Sequence, residues 1–183
     1  RLKKNPAEVR DWFIVFFCAL GVASFAGGTF HGFMRDPAAP LYTLVWNTAL
    51  IAIGVSALAA WMIGANLLSE ATRLRWLRVA AMLFFFVYCV AIVSGANTFL
   101  VAIIHYLPAT LFLFATFCLL YFRGRQGYHL SGVIGVLLTL LAAVVQQSGI
   151  GLHSLWFDHN TFYHLIQAVA LLFLYRAARG VTS

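Results

Sequence analysis

Residues 41–68 read LYTLVWNTALIAIGVSALAAWMIGANLL, an apolar run without a charged side chain. A helix needs about 20 mostly apolar residues to cross the hydrocarbon core of a bilayer. This run is long enough to cross a membrane once. The fold of the chain depends on how many such runs there are and on what separates them.

Five further apolar runs flank the first. The six predicted helices cover residues 11–33, 41–68, 77–94, 98–122, 128–146 and 161–175. Four of the five segments between them contain proline or glycine residues, which interrupt helices. The sequence therefore predicts an all-α fold: a polytopic membrane helix bundle with six transmembrane helices, forming a single transmembrane domain over residues 1–183.

The composition supports a membrane protein. Hydrophobic residues make up 63% of the chain and charged residues 9%, whereas charged residues account for about 25% of an ordinary soluble domain. The formal net charge of +7 does not indicate a nucleic-acid partner, because the basic residues lie in short clusters between the apolar runs. Such clusters are typical of the loops that fix membrane orientation.

The basic residues also predict the orientation. If the six helices alternate in direction, eleven of the twelve lysine and arginine residues fall on one side of the membrane, and only Arg35 lies opposite. Positively charged loops face the cytoplasm. We therefore expect the N-terminal and C-terminal ends of this chain to be cytoplasmic.

A polar segment interrupts the apolar pattern before the last helix. Residues 151–167 read GLHSLWFDHNTFYHLIQ and hold three of the six histidines. The predicted topology also brings His31, Asn47 and His105 toward the outer side of the membrane. Polar groups within a membrane are expensive and often mark function, so we expect a functional cluster at the outer end.

Spacing refines the expected cluster. Asn160, His164 and Gln167 recur at positions i, i+4 and i+7 and so share one helix face. Ser24 and His31 share a face of the first helix at the same predicted depth, so the two faces can oppose each other. Neutral imidazoles are ligands for zinc, and a catalytic zinc site uses three protein ligands and a water.

Each of these residues also has a purely structural interpretation. His31 could be an interfacial residue with its ring among the lipid headgroups, and His129 and His153 could be loop residues. Either Asp158 or Asn160 could be the N-cap of the last helix, because both side chains accept hydrogen bonds from free backbone N–H groups.

His105 lies close to Pro108, whose ring frees a backbone carbonyl in the preceding turn. The imidazole could therefore hydrogen-bond that carbonyl.

Three motifs together resemble a known superfamily. They are GGTFHGF at residues 27–33, Asn47 near the start of the next helix, and HNTFYHLIQ at residues 159–167. The pattern resembles the seven-helix superfamily of alkaline ceramidases and adiponectin-type progestin receptors. It is most similar to a group of small uncharacterised bacterial multi-pass membrane proteins distantly related to that superfamily.

The resemblance implies a zinc site whose bound water attacks a lipid amide. By position, His31 matches the histidine of the superfamily's second helix, and His164 matches the last histidine of its final helix. Three positions depart from the pattern: Gly27 replaces a serine, Asn47 an aspartate and Asn160 a histidine. The resemblance also implies a seventh helix upstream of Arg1 and a location in the bacterial inner membrane.

The first functional hypothesis is a zinc-dependent hydrolase of lipid amides or esters. Its metal ligands would be His31, His164 and His159, and Asp158 would be the catalytic acid or base. His105 could supply the third nitrogen ligand of the zinc ion in place of His159. The supporting residues would be Asn47, His105, Asn160 and Gln167.

The alternative is a non-catalytic membrane subunit of a larger complex, or a lipid-binding protein, in which the same residues form a hydrogen-bonded cap. A third hypothesis is a b-type haem held by His31 and His164. The expected partners are membrane lipids and other membrane-protein subunits, with no nucleic acid. Zinc is the one cofactor expected of the hydrolase.

Overall fold

A computed structural model of the chain describes residues 6–34, 36–68, 71–149, 151 and 158–183. Within these residues the secondary structure consists of six α-helices. They are α1 (Pro6–Phe33), α2 (Tyr42–Leu68), α3 (Ala71–Val93), α4 (Phe99–Gly124), α5 (Gly127–Ser148) and α6 (His159–Thr182). Each contains a segment long and apolar enough to cross a membrane, which confirms the predicted all-α membrane fold.

Five of the six helices are longer than the predicted apolar runs, and α2 alone is one residue shorter. α1 begins at Pro6, not at residue 11, and proline is favoured at the first helical position because its missing N–H has no partner there in any helix. α6 continues to Thr182, seven residues beyond the predicted end, with Arg179 in its last turn. A basic side chain at that position is favourable near the negative end of the helix dipole. The apolar run therefore marks the membrane-spanning part of a helix and not its whole length.

The chain divides into two compact units, Arg1–Phe112 and Leu113–Ser183, with α4 contributing to both. In the first unit α2 is the central helix, with α1 and α3 packed against it. Small and apolar side chains are buried on several faces of α2, including Leu50, Ala57, Ala60 and Ile63. This burial explains why its sequence is apolar all round.

Gly54 allows the closest approach between α2 and α3. A Cβ atom at this position would lie 2.4 Å from Cε1 of Tyr88, so only glycine leaves room for the tyrosine ring. The Tyr88 hydroxyl then donates a hydrogen bond to the Leu50 carbonyl at 2.7 Å. The ring is thus fixed at both its edge and its hydroxyl end.

A polar contact joins α1, α2 and α3 near the C-terminal end of α2. Arg78 on α3 forms an ion pair with Glu8 on α1 and donates to the Asn66 side-chain oxygen of α2 at 2.9 Å. The Asn66 amide in turn donates to the Met62 carbonyl at 2.8 Å. Charge-assisted hydrogen bonds of this type are stronger than neutral ones, so they hold the ends of α1, α2 and α3 together.

The second unit is built on the packing of α5 against α6. A Cβ atom at Gly135 would lie 2.7 Å from Cγ of Leu174, and one at Gly180 would lie 2.3 Å from Cβ of Tyr128. Small residues at helix contacts let two backbones approach closely in membranes. The two helices therefore pack along most of their length.

Candidate functional site

The structure distributes the predicted site residues over the two units. His31, Asn47 and His105 belong to the first unit, and the remaining five belong to α6 and its cap: Asp158, His159, Asn160, His164 and Gln167. His153 lies outside the described residues. Across the described part of the chain, no three histidine, cysteine, aspartate or glutamate side chains are grouped so that they could hold a metal ion.

Of the two residues that the structural interpretation named as N-cap of α6, Asp158 is the cap, and the alternative Asn160 is wrong because it lies inside the helix. One carboxylate oxygen accepts hydrogen bonds from the Thr161 backbone N–H at 2.8 Å and from the Thr161 hydroxyl at 2.9 Å. These bonds are the main reason why the pKa of Asp158 lies below its usual range, and nearby His159 lowers that pKa further. A carboxylate with a lowered pKa is a weaker general base, so the cap role and the catalytic role compete for the same group.

The Asp158 cap makes a testable contribution to stability. Asp158→Ala is expected to lower the free energy of unfolding by about 1 kcal/mol at neutral pH, because an N-cap acceptor is lost. Asp158→Asn should lose less, since asparagine also caps helices well. Denaturant unfolding of the purified protein in detergent micelles measures both changes.

The cap has a defined pH dependence. The folded-state pKa is lowered, so the charge-dependent stabilisation is present above the unfolded-state pKa of about 3.9. It is lost as the pH falls through the folded-state value. The stability difference between the wild-type protein and Asp158→Asn should therefore shrink below about pH 4. A difference that is unchanged down to pH 2–3, roughly a unit or more below the usual aspartate pKa, would contradict the assignment.

Two polar pairs join α5 and α6. Gln146 donates its side-chain amide to the Asn160 side-chain oxygen at 3.1 Å, and Gln167 donates to the Thr139 hydroxyl at 3.4 Å. Asn160 and Gln167 are seven residues apart, as are Thr139 and Gln146, so the pairs repeat every two turns of both helices. We call this set of four residues the α5–α6 polar seam. Of the three residues of the predicted face of α6, Asn160 and Gln167 both bond to α5, whereas His164 makes no part of this seam.

His164 does not share the environment of the polar seam. It is exposed, whereas Gln167 is buried, and its ring meets Tyr163 edge-on with the ring centroids 4.8 Å apart. His159 is partly exposed at the start of α6. Both histidines of the first turns of α6 are therefore more exposed than Gln167.

His31 lies near the end of α1 beside an aromatic cluster. Phe30 contacts Tyr42 and Trp46 of α2, with ring centroids 4.8 and 4.6 Å apart. The exposed His31 ring meets the edges of Phe30 and Trp46 at 5.5 and 6.2 Å. Within the described residues, no hydrogen-bond partner engages its imidazole. This environment matches the interfacial interpretation, because tryptophan and tyrosine concentrate where membrane meets water.

Asn47 holds the connection between α3 and α4. Its side-chain oxygen accepts a hydrogen bond from the Asn97 amide at 3.1 Å. The neighbouring Trp46 indole donates to the Asn97 carbonyl at 2.6 Å. Both bonds attach the connection to the start of α2, so Asn47 has a structural partner in the connection between α3 and α4.

His105 is buried inside the first unit, with a fractional exposure of 3%. Its ring stacks on Tyr88 with centroids 4.2 Å apart and planes inclined by 12°, and Phe84 lies 4.6 Å away. Among the described residues neither ring nitrogen meets the geometry of a standard hydrogen bond, but the Gly54 backbone lies close enough to interact with the imidazole. The interpretation in which His105 bonds a carbonyl freed by Pro108 is therefore wrong: the stacked ring makes no such bond.

The α5 residues of the polar seam, Thr139 and Gln146, are not among the predicted site residues. The available signal was the matching seven-residue spacing on two consecutive helices, which places Gln146 and Thr139 on one face of α5. The ion pair of Glu8 with Arg78 also carried a signal, since both residues border apolar runs on the same predicted side of the membrane.

Comparison with known proteins assigns the chain to a family whose function is unknown. A family model described as "Family of unknown function (DUF6962)" matches residues 1–183. No curated protein and no solved structure matches the chain.

Proposed function

We propose that this chain, which belongs to the family of unknown function DUF6962, is a non-catalytic lipid-binding protein of a bacterial plasma membrane. One observation carries the proposal: three of the polar groups that the hydrolase hypothesis uses on α6 and its cap already serve the fold. Asp158 caps the helix, and Asn160 and Gln167 bond to α5. Their hydrogen bonds to the fold compete with proton transfer and metal binding at the same groups.

The proposed orientation places both visible ends of the chain in the cytoplasm. It rests on the eleven basic residues that fall on one side of the membrane when the six helices alternate in direction. The end of α1 with His31 and the start of α6 with Asp158 are then on the outer side. Membrane lipids of the outer leaflet are the partners that these residues would meet, and other membrane subunits remain a predicted class of partner.

The aromatic cluster around His31 is suited to contact lipid headgroups. Phe30, Tyr42 and Trp46 form an apolar surface at the helix ends. The exposed His31 imidazole beside them has ring nitrogens that can bond a phosphate or ester oxygen of a lipid. Such a site binds lipid without changing it.

The zinc-dependent lipid hydrolase is the second candidate, and it is favoured by the absence of a described hydrogen bond at the His31 imidazole. No described hydrogen bond engages the His31 imidazole, and this residue matches the histidine of the superfamily's second helix. The hydrolase also needs His164 and His159 as ligands and Asp158 as base. The opposition of α1 and α6 that would bring them together stays a prediction.

The metal content of the purified protein separates the candidates. We expect protein prepared without chelators to contain far less than one zinc ion per chain and to show no haem absorbance band. About one zinc per chain, as a catalytic site requires, would contradict the proposal if His31→Ala and His164→Ala both removed the metal. His129→Ala is the matched control, because His129 is a buried histidine that no hypothesis uses as a ligand.

A further inference from the structure

Four exposed arginines lie at one end of the second unit. We call them the basic cluster: Arg123 and Arg125 at the end of α4, and Arg176 and Arg179 near the end of α6. A Cβ atom at Gly180 would lie 2.3 Å from Cβ of Tyr128, so the end of α6 packs against the start of α5. The short connection between α4 and α5 precedes Tyr128 directly. The two pairs of arginines therefore lie at the same end of the helix pair.

The basic cluster has no acidic residue near it. Residues 113–183 contain four basic residues, all of them in the cluster, and a single acidic residue, Asp158. Asp158 caps the other end of α6, about 27 Å from Arg176 along the helix at 1.5 Å per residue. Within the described residues, no ion pair involves the four arginines. Helix ends carry only about half an elementary charge each, so this end of the unit is strongly positive.

Arg125 occupies a backbone position that favours glycine. Its φ is 50°, and no other described residue except glycine has a positive φ. Its backbone N–H donates to the Tyr121 carbonyl at 2.7 Å. Glycine is the usual residue at such a helix end, because a side chain is strained there. The backbone conformation thus does not explain why the residue is an arginine.

Two aromatic rings orient the Arg125 guanidinium. Its Cζ atom lies 5.4 Å from the ring centroid of Tyr121 and 5.6 Å from that of Phe122. A planar guanidinium can stack on a ring and still donate hydrogen bonds from its edge to a phosphate. Among the described residues, none accepts a hydrogen bond from the Arg125 side chain. Its donors are therefore held in place and available to an anion.

An exposed apolar face of α6 leads to the basic cluster. Leu165, Val169 and Leu172 are 51%, 47% and 70% exposed and recur every three or four residues, so they share one helix face. Arg176 and Arg179 continue that spacing toward the end of the helix. An apolar face that ends in basic groups matches a phospholipid, whose acyl chains are apolar and whose headgroup carries a phosphate.

We propose that the basic cluster binds an anionic phospholipid, with the headgroup phosphate at the arginines and an acyl chain along the exposed face of α6. Arginine recognises phosphate through charge-assisted, often bidentate hydrogen bonds. Membrane orientation alone requires only positive charge and does not account for an arginine where glycine is favoured. The site lies in the second unit and does not depend on lipid contact at His31 in the first.

Lipid-dependent thermal stability tests the basic cluster in the intact protein. Dioleoylphosphatidylglycerol is titrated into the purified protein in detergent micelles, and the apparent melting temperature is followed. A ligand that binds only the folded state raises that temperature. We expect a larger rise than with dioleoylphosphatidylcholine, which has the same chains but no net charge.

Arg125→Gly separates binding from folding. Glycine fits the positive φ, so the variant without lipid should melt no lower than the wild-type protein. Its affinity for dioleoylphosphatidylglycerol should fall about fivefold, the typical contribution of one basic side chain near an anionic membrane surface. The Arg125→Gly, Arg179→Gln double variant should lose about 25-fold if the two contributions add.

Arg10→Gln is the matched control. It removes the same charge from an exposed arginine of the first unit, which already pairs with Asp11 at 3.3 Å, and it should leave the affinity unchanged. The proposal is overturned if the two lipids stabilise the wild-type protein equally or if Arg125→Gly binds dioleoylphosphatidylglycerol as tightly. It is also overturned if Arg10→Gln loses as much affinity, or if inorganic phosphate or polyglutamate gives the same rise as the lipid.

Discussion

Gly54→Ala is expected to lower the free energy of unfolding by about 1–3 kcal/mol, the usual effect of overpacking a tight core. The new Cβ would lie 2.4 Å from Cε1 of Tyr88 and 3.1 Å from Cε2 of Phe85. Tyr88 cannot move aside without weakening its hydrogen bond to the Leu50 carbonyl and its stacking on His105. Denaturant unfolding of the purified variant in detergent micelles measures the change.

Gly28→Ala is the matched control for Gly54→Ala. Gly28 also lies in a membrane-spanning helix, but a Cβ atom there meets nothing within 4 Å. Alanine favours helix over glycine by about 1 kcal/mol, so this variant should be as stable as the wild-type protein or slightly more stable. An equal loss of unfolding free energy in both variants would show that the effect comes from replacing glycine in general and not from contact with Tyr88.

The membrane fold followed from the sequence because the bilayer imposes one simple condition. Each membrane-spanning helix must present about 20 mostly apolar residues, and the six runs meet that condition in number and order. The helix ends did not follow, since a helix that leaves the membrane continues as long as its backbone hydrogen bonds are favourable. The N-terminal turns at Pro6 and the last turns up to Thr182 both lie beyond the apolar runs.

The roles of the polar residues were only partly predictable. Local chemistry identified Asp158 as a candidate cap, because capping depends on residues within three positions along the chain. The role of Asn160 depends on Gln146, which lies on another helix, and the spacing within α6 cannot show which helix its face meets. His105 was expected in a polar cluster, whereas its neighbours are the aromatic rings Phe84 and Tyr88. Their four-residue spacing on α3 was the available signal.

Asn160→His tests the central claim that the polar residues of α6 support packing and not catalysis. The change removes the acceptor of the Gln146 amide, which leaves a partly buried donor without its partner. We expect the free energy of unfolding to fall by about 1–2 kcal/mol. In the hydrolase hypothesis, the same change restores the missing histidine and creates an i, i+4 imidazole pair with His164 that could share one zinc ion.

The most direct measurement is therefore the melting temperature of Asn160→His in detergent micelles with and without added zinc. We expect a lower melting temperature than that of the wild-type protein and the same value in both conditions. A metal that binds only the folded state would raise it. A zinc-dependent rise for Asn160→His that disappears in the His31→Ala, Asn160→His double variant would contradict the structural role of the polar seam and support a metal site.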